Sequence, residues 1–278
     1  MSVPAWTVRD AARVLRRPTA ADDKYSRGVL GVRTGSERYP GAAVLGVEAA
    51  WRAGVGMVRY LGPPAPTSLV LQRRPETVTA DGRVQAWLIG SGTDANERSD
   101  ADTALLRKIL AADLPVIADA GALDLAVGAQ APRIVTPHGR EHARLRAMLE
   151  LTEDSPTTDA ERAASASGTS VALGATVVLK GSVTIVASPD GWAVSVSVGT
   201  PWLATAGTGD VLAGAIGAVV AGAGSTAHLG PLAATGVWLH GRAASLAAAD
   251  LGAAGGPITA LDVAAALPRA VAEAIAAR

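Results

Sequence analysis

The residue pattern with the clearest chemical potential is a run of small residues that ends in an acid. Residues 205–214 read Thr-Ala-Gly-Thr-Gly-Asp-Val-Leu-Ala-Gly, and they open an apolar, helix-like segment. Backbone N–H groups of a loop of this composition can converge on an anion, and the helix that follows adds its positive dipole end. The loop residues that would form this nest are Ala206, Gly207, Thr208 and Gly209.

Asp210 follows the nest and has two interpretations. It can cap the predicted helix, or it can act as a general base in phosphoryl chemistry, and the helix dipole favours its charged form. Capping does not require Gly-Thr-Gly before the acid, whereas close approach of the backbone to a phosphate does. The pattern therefore favours phosphoryl chemistry, with helix capping as the alternative.

Lys180 is a second candidate for a functional residue, because this chain rarely uses lysine. Of its 25 basic residues only Lys24, Lys108 and Lys180 are lysines. Lys180 ends a β-branched run that predicts a buried parallel strand, and Gly181 and Ser182 follow it. It can extend into solvent from the strand end, or place a compact ammonium group beside a nucleotide.

The elements that must position these residues alternate between strand-like and helix-like runs. This alternation predicts an α/β fold whose mainly parallel sheet is covered by helices on both faces. The predicted parallel strands are 29–32, 57–61, 86–89, 115–118, 134–136 and 176–179, and the predicted helices between them are 41–53, 100–111, 140–149 and 158–167.

After Lys180 the pattern changes. Residues 183–187 and 192–198 flank Ser-Pro-Asp-Gly, which predicts a hairpin, and the chain then becomes helical from residue 205. Ala-rich helices are predicted at 230–249 and 261–277. Since no repeat, linker or shift in composition divides the chain, we expect one domain over residues 1–278.

Polar motifs follow several predicted strands at the point where each strand ends. Gly90-Ser91-Gly92, Asp119 and Thr136-Pro137-His138 occupy such positions, as does Lys180. Open parallel sheets bind ligands outside the carboxyl ends of their strands. Each motif alone has an ordinary explanation, since Gly-x-Gly is often only a tight turn and Asp119 can cap a helix. Because all of these motifs fall at the carboxyl edge of the predicted sheet, together they predict a ligand site there.

Composition excludes several other classes of protein. The chain has equal numbers of acidic and basic residues and no cysteine, so it carries no overall charge for nucleic acid or an anionic membrane and no disulfide or thiolate metal site. The longest apolar stretch, 211–223, is too short to span a bilayer, and no cleavable leader is evident. We therefore expect a cytoplasmic protein that binds neither nucleic acid nor membrane.

Five motifs carry a resemblance to a known family. In chain order they are Lys24-x-x-x-Gly28, Gly35-Ser36-x-x-Tyr39-x-Gly41-Ala42-Ala43, Thr136-Pro137-His138-x-x-Glu141, Lys180-Gly181 and the run from Ala204 to Gly214. Together they resemble the ADP- or ATP-dependent NAD(P)H-hydrate dehydratases of the ribokinase-like superfamily. The Gly-Thr-Gly-Asp element indicates only the superfamily, whereas the Tyr39 and Thr-Pro-His motifs narrow it to the dehydratases.

This resemblance implies a ribokinase-like fold and a repair reaction. The S epimer of hydrated NADH or NADPH would be phosphorylated on its ring hydroxyl by ADP or ATP, and phosphate would then leave to restore the dihydronicotinamide. Asp210 would accept the hydroxyl proton while the nest stabilises the developing charge. Mg²⁺ is expected to accompany the nucleotide, and no dense carboxylate cluster marks a protein cage for it. Asp119 is available for contacts to phosphate or Mg²⁺, with helix capping as the alternative.

The resemblance also implies which residues bind each substrate. Adenine nucleotide would be bound by Lys180, Gly181, Ser182, Val183, Thr184 and Gly209, and the hydrate by Ala42, Gly92, His138 and Asp210. A separate hydrate epimerase is an expected partner, because no fused epimerase domain is expected in the chain. Relatives commonly form tetramers, so a homotetramer is expected.

The chain departs from the family pattern in four places. Asp23 replaces a histidine before Lys24, and Gly121 replaces a second aspartate after Asp119. Gly139-Arg140 replaces a Pro-Gly pair, which is expected to change the loop beside His138, and Thr200-Pro201-Trp202 replaces an Asn-x-Gly element. Two alternatives stay open at this point: a small-molecule kinase of the same superfamily, and a nucleotide-binding protein that has lost catalysis. The hydrate-side motifs oppose the first, and Asp210 with an intact nest opposes the second.

Overall fold

Short apolar runs rich in valine, isoleucine and leucine form the central sheet. The computed structural model describes residues 3–224 and 228–278. In this part of the chain the strands are β1 (Val29–Arg33), β2 (Met57–Tyr60), β3 (Ala86–Ile89), β4 (Val116–Ala118), β5 (Arg133–Val135), β6 (Thr176–Leu179), β7 (Thr184–Ala187) and β8 (Ala193–Val196).

The strands join in a single sheet of spatial order β2-β1-β3-β4-β5-β6-β7-β8. Strands β1 to β6 are parallel, and β7 and β8 add an antiparallel hairpin to β6. All six predicted parallel strands and the predicted hairpin are confirmed, with ends that shift by a few residues at most. The carboxyl ends of the parallel strands therefore meet at one edge, as the sequence predicts.

Nine α-helices accompany the sheet within the described ranges. They are α1 (Val8–Val14), α2 (Gly41–Arg52), α3 (Pro64–Arg73), α4 (Asp100–Leu110), α5 (Gly139–Met148), α6 (Asp159–Leu173), α7 (Thr208–Gly222), α8 (Leu229–Ala249) and α9 (Ala260–Ala276). Sequence analysis did not predict α1 or α3. Helix α1 buries only two of its residues, and α3 opens with Pro-Ala-Pro, which is typical of loops although proline is tolerated in a first helical turn.

Helices cover both faces of the sheet because alternate strand residues are buried on opposite sides. Val178 of β6 packs in a core with α2, α7, α8 and α9, whereas Val177 and Leu179 pack in a second core with α4 and α6. Strands that are apolar on both faces are typical of parallel sheets in α/β proteins. The mainly parallel α/β architecture is thus confirmed.

Helix α7 lies deep in the molecule and orients the small-residue loop. It is apolar on nearly all sides, and a Cβ atom at Gly214 would overlap the main-chain oxygen of Gly46 in α2. The two helices can therefore pack with their backbones in close contact, which fixes where the first turn of α7 points. No helix among residues 3–224 and 228–278 is long and apolar enough to cross a membrane.

Candidate active site

The loop before α7 is shaped by Gly207, the N-cap residue of that helix. Its φ of 86° lies in the left-handed region that favours glycine. A Cβ atom there would lie 2.5 Å from Leu45 Cδ1 and 3.1 Å from the Ala260 side chain. Both the backbone conformation and the space around it therefore require glycine, which supports the prediction of a specialised loop.

The side chain of Thr208 stabilises this loop by hydrogen bonding to its main chain. Its buried hydroxyl lies 3.0 Å from the main-chain oxygens of both Leu203 and Thr205, and its single proton can be donated to either or shared between them. Leu203 ends a short 3-10 turn that begins at Pro201, so the Thr200-Pro201-Trp202 departure forms an ordered turn against α7. Ala206 is exposed, Gly209 is half-buried, and both are adjacent to Gly207 or Thr208 in the chain. These contacts hold the predicted nest in a fixed shape.

Asp210 is in the first turn of α7 but is not its N-cap residue, a position that Gly207 occupies. Burial, reinforced by the negative charge of Asp119, raises the pKa of Asp210 to about 7, although Lys180 opposes the shift. The helix dipole favours the charged form of Asp210, but desolvation of that form by burial dominates and raises the pKa. A carboxyl with a pKa near neutrality is well suited to proton transfer.

Asp119 lies at the end of β4 and joins four strand ends. Its buried carboxylate accepts hydrogen bonds from Ser91 Oγ at 2.9 Å and Thr136 Oγ1 at 2.6 Å, and Lys180 Nζ lies 3.1 Å from Oδ1. Its side chain makes no capping hydrogen bond to the 3-10 turn that follows. The helix-capping alternative for Asp119 is thus wrong, because the neighbouring strands supply better donors.

Lys180 lies inside the site, and the alternative of a solvent-directed strand-end lysine is wrong. Its side chain is only 20% exposed, and Nζ lies 3.7 Å from Glu141 Oε2 as well as next to Asp119. A Cβ atom at Gly209 would lie 3.7 Å from the same Nζ. Burial acts to lower the pKa of Lys180, but the charges of Asp119, Glu141 and Asp210 outweigh it and raise the pKa.

His138 and Glu141 form a reciprocal cap at the start of α5. His138 Nδ1 accepts hydrogen bonds from the backbone N–H groups of Arg140 and Glu141, and Glu141 Oε2 accepts one from the His138 N–H at 2.8 Å. Helix α5 begins directly at Gly139, so Gly139 and Arg140 form part of its first turn. With Nδ1 an acceptor, the neutral ring carries its proton on Nε2, and half of the side chain is exposed.

Ala42 and Gly92 meet on the other side of the site. Gly92 has a φ of 66°, and a Cβ atom there would overlap that of Ala42 and lie 2.9 Å from the Tyr39 oxygen. The Gly35 N–H donates a hydrogen bond to Ser91 O at 2.7 Å, which joins the ends of β1 and β3. The first turn of α2 is therefore held closely against the loop after β3.

The remaining predicted residues form the turn between β6 and β7. Gly181 and Ser182 are exposed, Val183 is half-buried, and Thr184 is buried at the start of β7. The Lys180 N–H donates to Pro137 O at 2.9 Å, which ties this turn to the loop before α5. The turn thus continues directly from the buried ammonium group toward the surface.

Sequence analysis missed two side chains that the structure brings into this region. Glu141 was noticed only as part of a motif, yet its carboxylate lies next to Lys180. Arg162 of α6 was not considered, yet it donates hydrogen bonds to the turn between β6 and β7. A lone arginine on an amphipathic helix gives no sequence signal for such a role, whereas the spacing of Glu141 from His138 could have indicated a reciprocal helix cap.

Two cavities flank the polar cluster. One, of about 360 Å³, lies beside Glu141 and is lined by Thr93, Gly121 and Met148. The other, of about 280 Å³, lies beyond Gly35 and Ser36 and shares Thr93 with the first. Both cavities lie near the carboxyl edge of the sheet, and neither is lined by Lys180 or Asp210.

The polar groups suit a metal ion held mainly by a nucleotide rather than by a cage of side chains. Across residues 3–224 and 228–278 no three His, Cys, Asp or Glu side chains are grouped as metal ligands. Mg²⁺ commonly binds through one or two carboxylates, water and substrate phosphates. Two carboxylates of the cluster, those of Asp119 and Glu141, lie beside the Lys180 ammonium.

The fold is that of a ribokinase-like α/β protein, with polar side chains gathered at the carboxyl edge of its sheet. A ribokinase-like superfamily protein from Enterococcus faecalis V583 shares the fold with a TM-score of 0.78, 22% identity and coverage of 98% of this chain and 96% of that chain. The sequence model of the NAD(P)H-hydrate dehydratase family matches residues 30–269. The chain belongs to the NAD(P)H-hydrate dehydratase family, as its motifs predict.

Individual relatives agree with this assignment. The ADP/ATP-dependent NAD(P)H-hydrate dehydratase from Bacillus subtilis, co-crystallised with ATP/Mg²⁺, is 29% identical, with a TM-score of 0.83 and coverage of 97% of this chain and 98% of that one. The ADP-dependent (S)-NAD(P)H-hydrate dehydratase of Neisseria meningitidis is 36% identical over 84% of this chain and 81% of its own length. The bifunctional NAD(P)H-hydrate repair enzyme Nnr of Mycobacterium leprae is 41% identical over 87% of this chain but only 50% of its own length. The chain thus spans about half the length of that bifunctional relative.

Proposed function

We propose that this chain is an ADP- or ATP-dependent dehydratase of the S epimer of hydrated NADH and NADPH. The observation that carries the proposal is the cluster of Asp210, Lys180 and the Gly207 loop at the carboxyl edge of the sheet. Family membership identifies the reaction, and the cluster supplies the groups that a phosphoryl transfer to an alcohol requires.

The reaction begins with transfer of the terminal phosphoryl group of the nucleotide to the ring hydroxyl of the hydrate. Asp210 accepts the hydroxyl proton as the oxygen attacks phosphorus, and the bond to the nucleotide's leaving oxygen breaks. The N–H groups of the nest at Ala206, Gly207, Thr208 and Gly209 stabilise the negative charge on the phosphoryl oxygens. Phosphate then leaves with the electrons of its bond to the ring carbon, a neighbouring C–H proton is lost, and the ring double bond of NAD(P)H is restored.

The remaining residues bind and orient the two substrates. Lys180, with the turn through Gly181, Ser182, Val183 and Thr184, binds the nucleotide together with Gly209. Ala42, Gly92 and His138 bind the hydrate, and Asp210 contacts its hydroxyl. Asp119 orients the Lys180 ammonium through the 3.1 Å contact. Mg²⁺, when bound with the nucleotide, would neutralise phosphate charge, and Asp119 and Glu141 are its candidate ligands.

The test is to incubate the purified protein with Mg²⁺, hydrated NADH and either ADP or ATP, while dihydronicotinamide absorbance and phosphate release are followed together. We expect one phosphate to be released for each dihydronicotinamide restored. The nucleotide that gives the higher rate is the preferred donor. An Asp210→Asn sample prepared in the same way is the control. Nucleotide binding without recovery of absorbance would contradict the proposal and favour a kinase that acts on another alcohol.

We further propose that the protein works in the cytoplasm as a homotetramer, as one domain over residues 1–278 that depends on a separate epimerase. The balanced charge and the cysteine-free composition support the cytoplasm, and the Ala- and Gly-rich helices would allow close packing between subunits. Light scattering on the purified protein measures the tetramer. With hydrate of mixed epimers, recovery of absorbance should stop when the S form is consumed and resume when an epimerase is added.

A further inference from the structure

A half-buried arginine holds the turn that follows Lys180. Arg162, in the first turn of α6, is only 16% exposed at its side chain. Its Nη1 donates a hydrogen bond to Val183 O at 2.5 Å, and its Nη2 donates to Leu179 O at 3.3 Å and Lys180 O at 3.2 Å. One guanidinium group therefore bridges both sides of the turn between β6 and β7.

Gly181 makes room for this guanidinium group. A Cβ atom at Gly181 would overlap Arg162 Nη2, so a larger residue would displace the arginine. The main-chain oxygen of Gly181 accepts a hydrogen bond from Thr184 Oγ1 at 3.4 Å. The main-chain oxygens of Lys180, Gly181 and Val183 therefore already accept hydrogen bonds from protein side chains without a ligand.

We propose that Arg162 is a positioning residue for the adenine nucleotide, acting through the main chain of residues 180–183. A turn of Lys-Gly-Ser composition is intrinsically flexible, and ordering it when a ligand binds would cost conformational entropy. Three hydrogen bonds from one rigid, planar group remove that cost in advance. Lysine cannot replace this geometry, because its ammonium is a point charge without a planar fork.

This inference rests on the proposed function, since it assumes that the turn binds the nucleotide. None of the hydrogen bonds above involves α7, which carries the proposed base and the nest residues Thr208 and Gly209. Loss of Arg162 should therefore weaken nucleotide binding while the chemical step stays close to normal. If Arg162 only stabilised the fold, its loss would lower the melting temperature but would not raise the KM for nucleotide selectively while kcat stays the same.

The experiment compares Arg162→Met and Arg162→Lys with two controls in the full-length protein. Asp159→Asn removes the exposed ion pair of Arg162 at 3.3 Å but leaves the turn contacts. Arg146→Met removes a similarly buried arginine that donates to a different loop, at Thr152 O. Dissociation constants for ADP and ATP are measured by calorimetry without hydrate, and kcat and KM are then measured for both substrates.

We expect Arg162→Met to raise the nucleotide dissociation constant and KM about tenfold, with kcat and the KM for hydrate changed less than about threefold. Arg162→Lys should recover part of the affinity, and both controls should resemble the parent protein. Unchanged nucleotide affinity in Arg162→Met, or an equal loss in Arg146→Met, would overturn the inference. Failure of the parent protein itself to bind ADP and ATP would instead contradict the proposed function.

A second approach applies if Arg162→Met does not fold. Gly181→Ala tests the same contact from the turn, because the added methyl group displaces the guanidinium group. Hydrogen exchange of the amides of residues 181–184 without ligand should be faster in Gly181→Ala and in Arg162→Lys than in the parent protein. Exchange at the parent rate in both variants would overturn the inference without reference to enzyme activity.

Discussion

Lys180 Nζ and Asp119 Oδ1 lie 3.1 Å apart, and this contact joins the ends of β6 and β4 beneath the proposed site. Both side chains are mostly removed from solvent, with exposures of 20% and 4%. A buried pair of this kind is costly to break from one side, because the remaining charge loses both water and partner. The pair therefore determines where the ammonium group lies and how strongly neighbouring groups hold their protons.

Asp119→Asn should reduce kcat/KM by about 10- to 100-fold and lower the free energy of unfolding by about 1–3 kcal/mol. The variant keeps the shape of the side chain but removes the charge that orients Lys180. Steady-state kinetics and urea unfolding measure the two effects. Ser91→Ala, which removes only a neutral donor to the same carboxylate, is the control and should leave the rate nearly unchanged. Equal rates in both variants would show that the charge of Asp119 is irrelevant to the reaction.

Activity should depend on pH through Asp210. Burial, with help from the charge of Asp119, raises its pKa to about 7. Because a general base must be deprotonated, kcat/KM should rise about tenfold per pH unit below that value and level off above it. The measurement is a profile of kcat/KM from about pH 5 to about pH 9. In Asp119→Asn the acidic limb should move to lower pH, since a charge that raises the pKa of Asp210 is gone. A flat profile in the parent protein would remove Asp210 from its proposed role.

Asp210→Asn should lower kcat by about a thousandfold or more, because the proposed base is lost. The same variant should be more stable than the parent protein in alkaline solution. The raised pKa of Asp210 means that the native state favours the protonated form. This stability is fully present below the unfolded pKa of 3.8 and is lost as pH rises through about 7. Above neutrality the parent protein has lost roughly 1.4 kcal/mol for each unit of the shift, and the uncharged asparagine avoids that loss.

Urea unfolding near pH 4 and pH 8 measures this difference. The two proteins should be similar in acid, and the variant should be more stable in alkaline solution. The exposed Asp113→Asn is the control and should show no comparable change in stability between the two pH values. An Asp210→Asn protein that is less stable than the parent at pH 8 would contradict the argument from desolvation.

Gly207→Ala should destabilise the protein by about 2–4 kcal/mol and abolish tight nucleotide binding, because it combines backbone strain with steric overlap. Gly224→Ala is a matched control just beyond the other end of α7. Its φ of 68° is also left-handed, but a Cβ atom there meets no atom within 4 Å among the described residues. Gly224→Ala should lower the free energy of unfolding by only about 1 kcal/mol, from backbone strain alone. Thermal unfolding and ADP calorimetry of the two variants separate strain from overlap with Leu45.

Much of the fold could be predicted because its local signals agree with its tertiary structure. Apolar runs bounded by glycine and proline indicated all eight strands, and the Ser-Pro-Asp-Gly turn indicated the hairpin. The sequence did not predict helices α1 and α3, because neither has a regular helical spacing of apolar residues. Helix α1 does begin with a local signal, the capping box of Thr7 and Asp10, but both helices also pack against other elements, which no local window of sequence contains.

For the site, the sequence by itself determined the residue types: a glycine loop before an apolar helix, an acid in its first turn and a lysine at a strand end. It also determined, through the rule for carboxyl ends of parallel strands, that these residues would meet at one edge. Only the tertiary structure decided that Lys180 pairs with Asp119 and Glu141, that Arg162 supports the turn, and that Asp210 has a pKa near neutrality. The reason is physical, because charge interactions and desolvation depend on distances between groups far apart in the chain.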